Sequence, residues 1–169
     1  MSGIRGRDTK PEKLIRSELH RRGFRFRLHS KKIPGRPDLV LPKYRAAVFV
    51  HGCFWHGHDC PLFRLPGTRR AFWEAKINRN RERDVEVKQA VLAAGWRHLT
   101  VWECAFRGGG EGAVARTADE AARWIRSRRS EAGIAGSKHR SSEKGEGWLI
   151  LGCWKRWRSG SGNPDRETY

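Results

Sequence analysis

Residues 48–60, Val48-Phe-Val-His-Gly-Cys-Phe-Trp-His-Gly-His-Asp-Cys60, carry two cysteines and three histidines. Zinc takes four soft or borderline donors in a tetrahedron, closed to solvent where its role is structural. Cys53, His58 and Cys60 supply three such donors. Cys104 supplies a fourth, because it follows a third apolar run that a sheet can lay beside the loop. A Cys3His set would stitch an irregular loop onto that sheet. The spacing matches none of the common zinc-finger patterns, and the competing reading is small thiols buried in a core. Cys153 stands apart and is not assigned as a ligand.

A second chemistry centres on Asp38, which opens an apolar strand directly after Pro34-Gly-Arg-Pro37. A carboxylate there suits magnesium, which takes hard oxygen ligands and bridges to phosphate. If the next strand returns as a hairpin, Val50 and His51 come back to the same edge. The Val50 carbonyl then offers a second oxygen, and His51 points into the same cleft. The competing reading of Asp38 is a turn-capping aspartate. Glu12, in Thr9-Lys-Pro-Glu12, fits a capping box by itself. Phe54 and Trp55 are neighbours on the irregular loop and cannot easily both pack inward, whereas Trp73 lies on a helix.

These residues need a frame. Thr9 caps a first helix over 11–22, with Leu14, Ile15 and Leu19 at helical spacing and Gly23 as its stop. The alternation in 24–28 predicts a short strand. Residues 33–37 form a stiff turn, and 38–41 and 46–50 an antiparallel hairpin. Residues 51–67 are a long irregular connection, a length that is usually functional or metal-braced. Thr68 is expected to cap a second helix over 69–94, closed by Gly95. Residues 96–102 predict a third core strand, ending at Glu103 and Cys104. After a flexible connection over 107–112, Thr117-Ala-Asp-Glu120 repeats the capping-box pattern and is expected to open a last helix, to about Arg128. The sum is an α/β fold, a small mixed sheet flanked by helices.

The domain is expected over 1–129. Residues 130–169 read as a basic Gly/Ser-rich tail, mostly disordered, apart from an apolar and basic run over 148–157. The chain has 36 Lys and Arg against 18 Asp and Glu, a formal charge of +18. Such an excess points to a polyanionic partner. Nucleic acid is favoured over membrane, since no apolar run nears the roughly 20 residues that span a bilayer. The start of the chain shows no signal region, so a cytoplasmic protein with reduced cysteines is expected.

The chain also resembles the very short patch repair (Vsr-type) mismatch endonucleases. The matching blocks are Thr9-Lys-Pro-Glu12, Pro34-Gly-Arg-Pro-Asp38, Phe49-Val-His-Gly-Cys-Phe-Trp-His56, Phe72-Trp73 with Lys76-Ile77, and Gly95-Trp96 through Val101-Trp-Glu-Cys104. They run in order over about residues 3–107. The resemblance implies a restriction-endonuclease-like fold and nicking of duplex DNA beside T:G mismatches, which arise when 5-methylcytosine deaminates. It implies Asp38 and the Val50 carbonyl as magnesium ligands, His51 and His56 as active-site histidines, and Glu12 as a supporting carboxylate. Cys53, His58, Cys60 and Cys104 match structural zinc ligands, and Phe54, Trp55 and Trp73 an aromatic wedge. Arg69, Arg70, Arg79, Arg81 and Arg83 are candidates for phosphate contacts. The implied setting is a monomer on nucleoid DNA, alongside mismatch-repair proteins and a functionally linked cytosine methyltransferase. Val50 stands where threonine is expected, Gly57 interrupts a stretch that is often histidine-rich, and the segment before Ile4 is short. Two other functions compete: a zinc-braced DNA-binding module without catalysis, and a less selective nuclease of the same fold.

Overall fold

Side-chain alternation sorts the apolar residues of the strands onto two faces of one sheet. In the computed structural model, which describes residues 7–110 and 112–136, that sheet has five strands in sequential order. They are β1 (Arg27–Leu28), β2 (Leu39–Leu41), β3 (Ala46–His51), β4 (Arg97–Trp102) and β5 (Glu131–Ile134). β1, β2 and β3 pair antiparallel, while β3, β4 and β5 pair parallel. The helices are α1 (Lys10–Arg21), α2 (Arg70–Ala93) and α3 (Ala113–Arg126).

Ile15 and Leu19 of α1 and Ala121, Trp124 and Ile125 of α3 pack with Leu39, Leu41, Val48, Val50, Leu99 and Val101 on one face. Val91 of α2 packs with Val40, Ala47 and Phe49 on the other. The expected hairpin is present, with Leu39 opposite Val48 and Leu41 opposite Ala46. Thr9 caps α1, accepting from the Glu12 amide. Gly95 ends α2 as expected. Its φ of +73° admits a paired closure in which Trp96 N–H donates to Val91 and Gly95 N–H to Leu92.

Four expectations are corrected. The first strand covers only Arg27–Leu28, because β2 offers it two partners, Leu39 and Val40. Thr68 does not cap α2: Arg69 holds the cap position in a left-handed conformation (φ 53°), with no side-chain cap bond. Thr117 does not open the last helix, which begins at Ala113. Its hydroxyl instead donates within that helix to the Ala113 carbonyl at 2.9 Å, an i−4 bond that lets threonine sit inside a helix. Lastly, Glu131–Ile134 is a strand where a disordered tail was expected; it adds to the open edge of β4. The 148–157 run and Cys153 lie outside the described residues.

Candidate active site and metal centre

The loop after β3 folds back in successive tight turns, with Trp55 N–H bonded to Gly52, His58 N–H to Cys53 and Cys60 N–H to His58. α2 holds its backbone from behind: Asn80 donates to the Trp55 carbonyl at 2.7 Å, and Arg81 donates to that of Gly57. Gly57 has φ +58°, and a Cβ there would lie 2.5 Å from both Arg81 Nε and Ile77 Cγ2. A side chain would push the loop off the helix.

This turn gathers the ligand atoms of Cys53, His58, Cys60 and Cys104 within 4.8 Å of one another. Cys104 Sγ is 3.5 Å from His58 Nδ1, and the amides of Cys104 and Gly136 point at the sulfurs of Cys53 and Cys104 from 3.3 and 3.4 Å. Burial drives the Cys53 thiol well above its ordinary range and raises that of Cys104. As bare thiolates they would be costly. Three sulfurs and one imidazole nitrogen at this spacing suit a tetrahedral soft-metal centre.

Asp38 stands before β2 and accepts the Val50 N–H through Oδ2 at 2.7 Å. Burial raises its carboxyl to about 6, against the lowering effect of that amide; the neighbouring Glu12 adds to the rise. Glu12 is buried. It accepts from Thr9 Oγ1 at 2.7 Å and from the Asp8 amide at 2.9 Å. His29 closes this pocket, with Nδ1 3.9 Å from Asp38 and Nε2 3.6 Å from Asp8. Arg16 balances the carboxylates, 2.8 Å from Asp8.

One residue after Val50, the His51 ring stacks on His56 with centroids 3.8 Å apart and planes 4° apart. His56 Nδ1 lies 2.6 Å from Asp84 Oδ2, while His51 Nδ1 is 4.0 Å from it. An ionised carboxylate only accepts, so His56 Nδ1–H donates and its Nε2 is left for other work. Burial holds His51 well below the usual histidine range, with His56 and His98 adding to the effect. It is therefore neutral near pH 7. Ring lone pairs lie in the ring plane, so two parallel rings do not converge on one ion. The group is better suited to moving protons than to binding metal.

Phe54, Trp55 and Trp73 meet at the surface. Their centroids are 5.1 Å (Phe54–Trp55), 5.4 Å (Phe54–Trp73) and 6.1 Å (Trp55–Trp73) apart. Exposed Phe72 extends the patch. Lys76 Nζ sits 5.3 Å from the Trp55 ring and 5.5 Å from Trp73, adding a cation to an apolar edge. Arg69, Arg70, Arg79, Arg81 and Arg83 are all exposed on or just before α2. Among them Arg81 is tied to the loop, and Arg70 pairs with Glu74 at 2.8 Å.

A family model for the DNA mismatch endonuclease Vsr matches residues 1–62. The chain is 51% identical over 104 residues to the type II nicking enzyme V.XorIIP of Xanthomonas oryzae pv. oryzae, covering 62% of this chain and 76% of that relative. It is 49% identical over 108 residues to the DNA mismatch endonuclease Vsr of Escherichia coli K12, covering 64% and 69%. The chain belongs to the Vsr family. A third relative, the type II nicking enzyme V.NmeAIP of Neisseria meningitidis serogroup A, is 42% identical over 107 residues, 63% of this chain and 76% of its own.

In this Vsr-family chain the tertiary structure adds residues that sequence reading passed over. Asp84 lies in a charge-dense helix, yet it stands seven residues after Ile77 and seven before Val91, the two buried residues of α2. A carboxylate on a buried stripe was a readable signal. His29, Asp8 and His98 offered none, since each depends on which strands and helices meet.

Proposed function

We propose that this chain nicks duplex DNA beside T:G mismatches of the kind left by 5-methylcytosine deamination, and so initiates short-patch repair. One observation carries the reading: the C-terminal end of β3 carries a half-buried carboxylate, Asp38 on the Val50 amide, next to His51, which stacks on a carboxylate-held imidazole, His56 on Asp84. The relatives named as a mismatch endonuclease and nicking enzymes support it. A restriction-endonuclease-like fold belongs to the same reading, supported by the mixed sheet.

Asp38 and the Val50 carbonyl would hold magnesium. The N–H and C=O of a strand residue leave from one edge, so the Val50 carbonyl is on the same side of β3 as the amide that Asp38 accepts. A half-buried carboxyl raised to about 6 gains from a cation. When bound, magnesium polarises the scissile phosphate and lowers the pKa of a coordinated water. Glu12 adds a fixed carboxylate to orient water. His56 Nε2 takes the proton of the attacking water or returns one to the leaving oxygen as the P–O bond breaks, and neutral His51 holds its ring in plane. Cys53, His58, Cys60 and Cys104 would hold a structural zinc that braces the loop.

Recognition uses a different device. A T:G wobble pair is weakly stacked, so opening it costs least among base steps that each cost roughly a few kcal/mol. Phe54, Trp55 and Trp73 would insert there, with Lys76 and the exposed arginines on phosphate. The reading sets a monomer in the cytoplasm on nucleoid DNA. It agrees with unpaired thiols at Cys53, Cys60 and Cys104, and no helix among the described residues is long and apolar enough to cross a membrane.

The test compares nicking of T:G and T:A duplexes of one sequence, with and without magnesium. Magnesium-dependent nicking of the T:G strand alone is expected. Binding without nicking would leave a DNA-binding module, and equal nicking of both duplexes an unselective nuclease.

A further inference from the structure

We infer that Trp102 is a positioning residue, a plate seated on the zinc-loop histidine His58 that sets the planes of the His51 and His56 rings. The inference rests on the roles proposed above for that pair and for the four-ligand cluster. The parallel register places Trp102 beside His51, at the last step of β4 before Cys104. Its indole stacks on His58 with centroids 4.2 Å apart and planes 22° apart. The same ring meets His51 edge-on at 5.2 Å and 76°, and His56 at 6.2 Å and 75°. One side chain thus touches a proposed metal ligand and both proposed catalytic rings.

The space beside the ring shows which contacts fix it. A cavity of about 220 Å³ opens there, lined by Trp102 with Lys88, His98, Thr100, Glu131 and Gly133. A Cβ added to Gly133 would come only to 3.9 Å from the indole Nε1. A ring packed tightly all round would hold its place without help. Here His58 stacks on its face and the two histidines meet it edge-on, so the order of the zinc loop passes to the active-site rings through it. Asp84 on α2 and Phe49 on β3 also face these rings, and His98 acts on His51.

Trp102→Leu and Trp102→Phe test this by zinc content, affinity for T:G duplex, single-turnover nicking rate and the ¹⁵N spectra of the histidine rings. Supporting residues around metal sites commonly alter activity by about 10–100-fold. The leucine variant should keep its zinc and bind T:G DNA within about two-fold, yet nick about 10–100-fold more slowly. Phenylalanine should restore most of the rate. The ring-nitrogen signals of His51 and His56 should shift or broaden in the leucine variant, as the two rings lose their fixed planes. Wild-type rate and unchanged ring signals in that variant would overturn the inference, as would rate falling only in step with zinc in both variants. Should the leucine variant not fold, Trp102→Met, which also removes the flat ring, takes its place under the same criteria. A wild-type protein that never nicks T:G duplex would instead overturn the proposed function, and the ring spectra would still decide the role of Trp102.

Discussion

His56 Nδ1 lies 2.6 Å from Asp84 Oδ2, a bond between the irregular loop after β3 and the buried stripe of α2. The loop alone would leave that ring free to turn. The helix gives it one tautomer and one orientation, and the stacked His51 ring covers its face at 3.8 Å. A carboxylate that orients a histidine is a recurrent device in hydrolytic sites.

Asp84→Asn should therefore slow single-turnover nicking by about 100-fold, with T:G affinity and zinc content held. Asparagine keeps the size but can present its amide to the ring, which favours the wrong tautomer. A rate within about two-fold of wild type would mean that His56 works without its partner.

Asp38→Asn should abolish nicking and leave binding of T:G duplex intact. The proton on Asp38 also sets a pH dependence. Its folded value of about 6 is above the ordinary 3.8, so in metal-free protein its stability contribution is present below the ordinary value and is lost as pH rises through about 6. Magnesium needs the ionised form, so its affinity should weaken close to ten-fold per unit below about pH 6. Calorimetric titration across that range checks it; a flat affinity would place the metal elsewhere.

Cys104→Ser should lose most bound zinc and lower the thermal midpoint, because metal binding free energy is also folding free energy at such sites. Metal analysis should find about one zinc per wild-type chain. Folded, active protein without zinc would contradict the assignment.

Trp55→Ala should reduce the preference for T:G over T:A duplex more than it reduces affinity for either. Base–aromatic stacking is worth about 1–3 kcal/mol, enough for a ten-fold loss of preference. Equal losses on both duplexes would give Trp55 a structural role only.

His98 is buried, stacked on Phe49 at 4.8 Å, and burial lowers it to about 4, with Lys88 acting in the same direction. Its folded value lies below its ordinary 6.5. The stability it contributes is whole above about pH 6.5 and is lost as pH falls through about 4, on the order of 1–3 kcal/mol in all. Denaturant unfolding of His98→Phe, which keeps the stack, should show a flatter acid limb than wild type.

Much of the frame was legible because its signals are local. The hairpin of β2 and β3 shows in two apolar runs joined by Pro42-Lys-Tyr-Arg45, and α1 in Thr9 and Glu12. The donors Cys53, His58 and Cys60 show in their types alone. Local signals also misled: Thr117-Ala-Asp-Glu120 has the form of a cap, but a threonine that can bond its i−4 carbonyl also fits mid-helix. Glu131–Ile134 has weak strand character of its own and becomes a strand because β4 offers an open edge.

The sequence by itself determined the inventory: a basic chain, soft ligands on one loop, a carboxylate at a strand start, and adjacent aromatics. Tertiary structure alone decided which of them meet. The parallel register of β3 and β4 sets Trp102 beside His51 and carries Cys104 to the loop. The packing of α2 behind that loop brings Asp84 to His56. Contacts between residues so far apart in the chain depend on register and helix rotation, which no short window of sequence encodes.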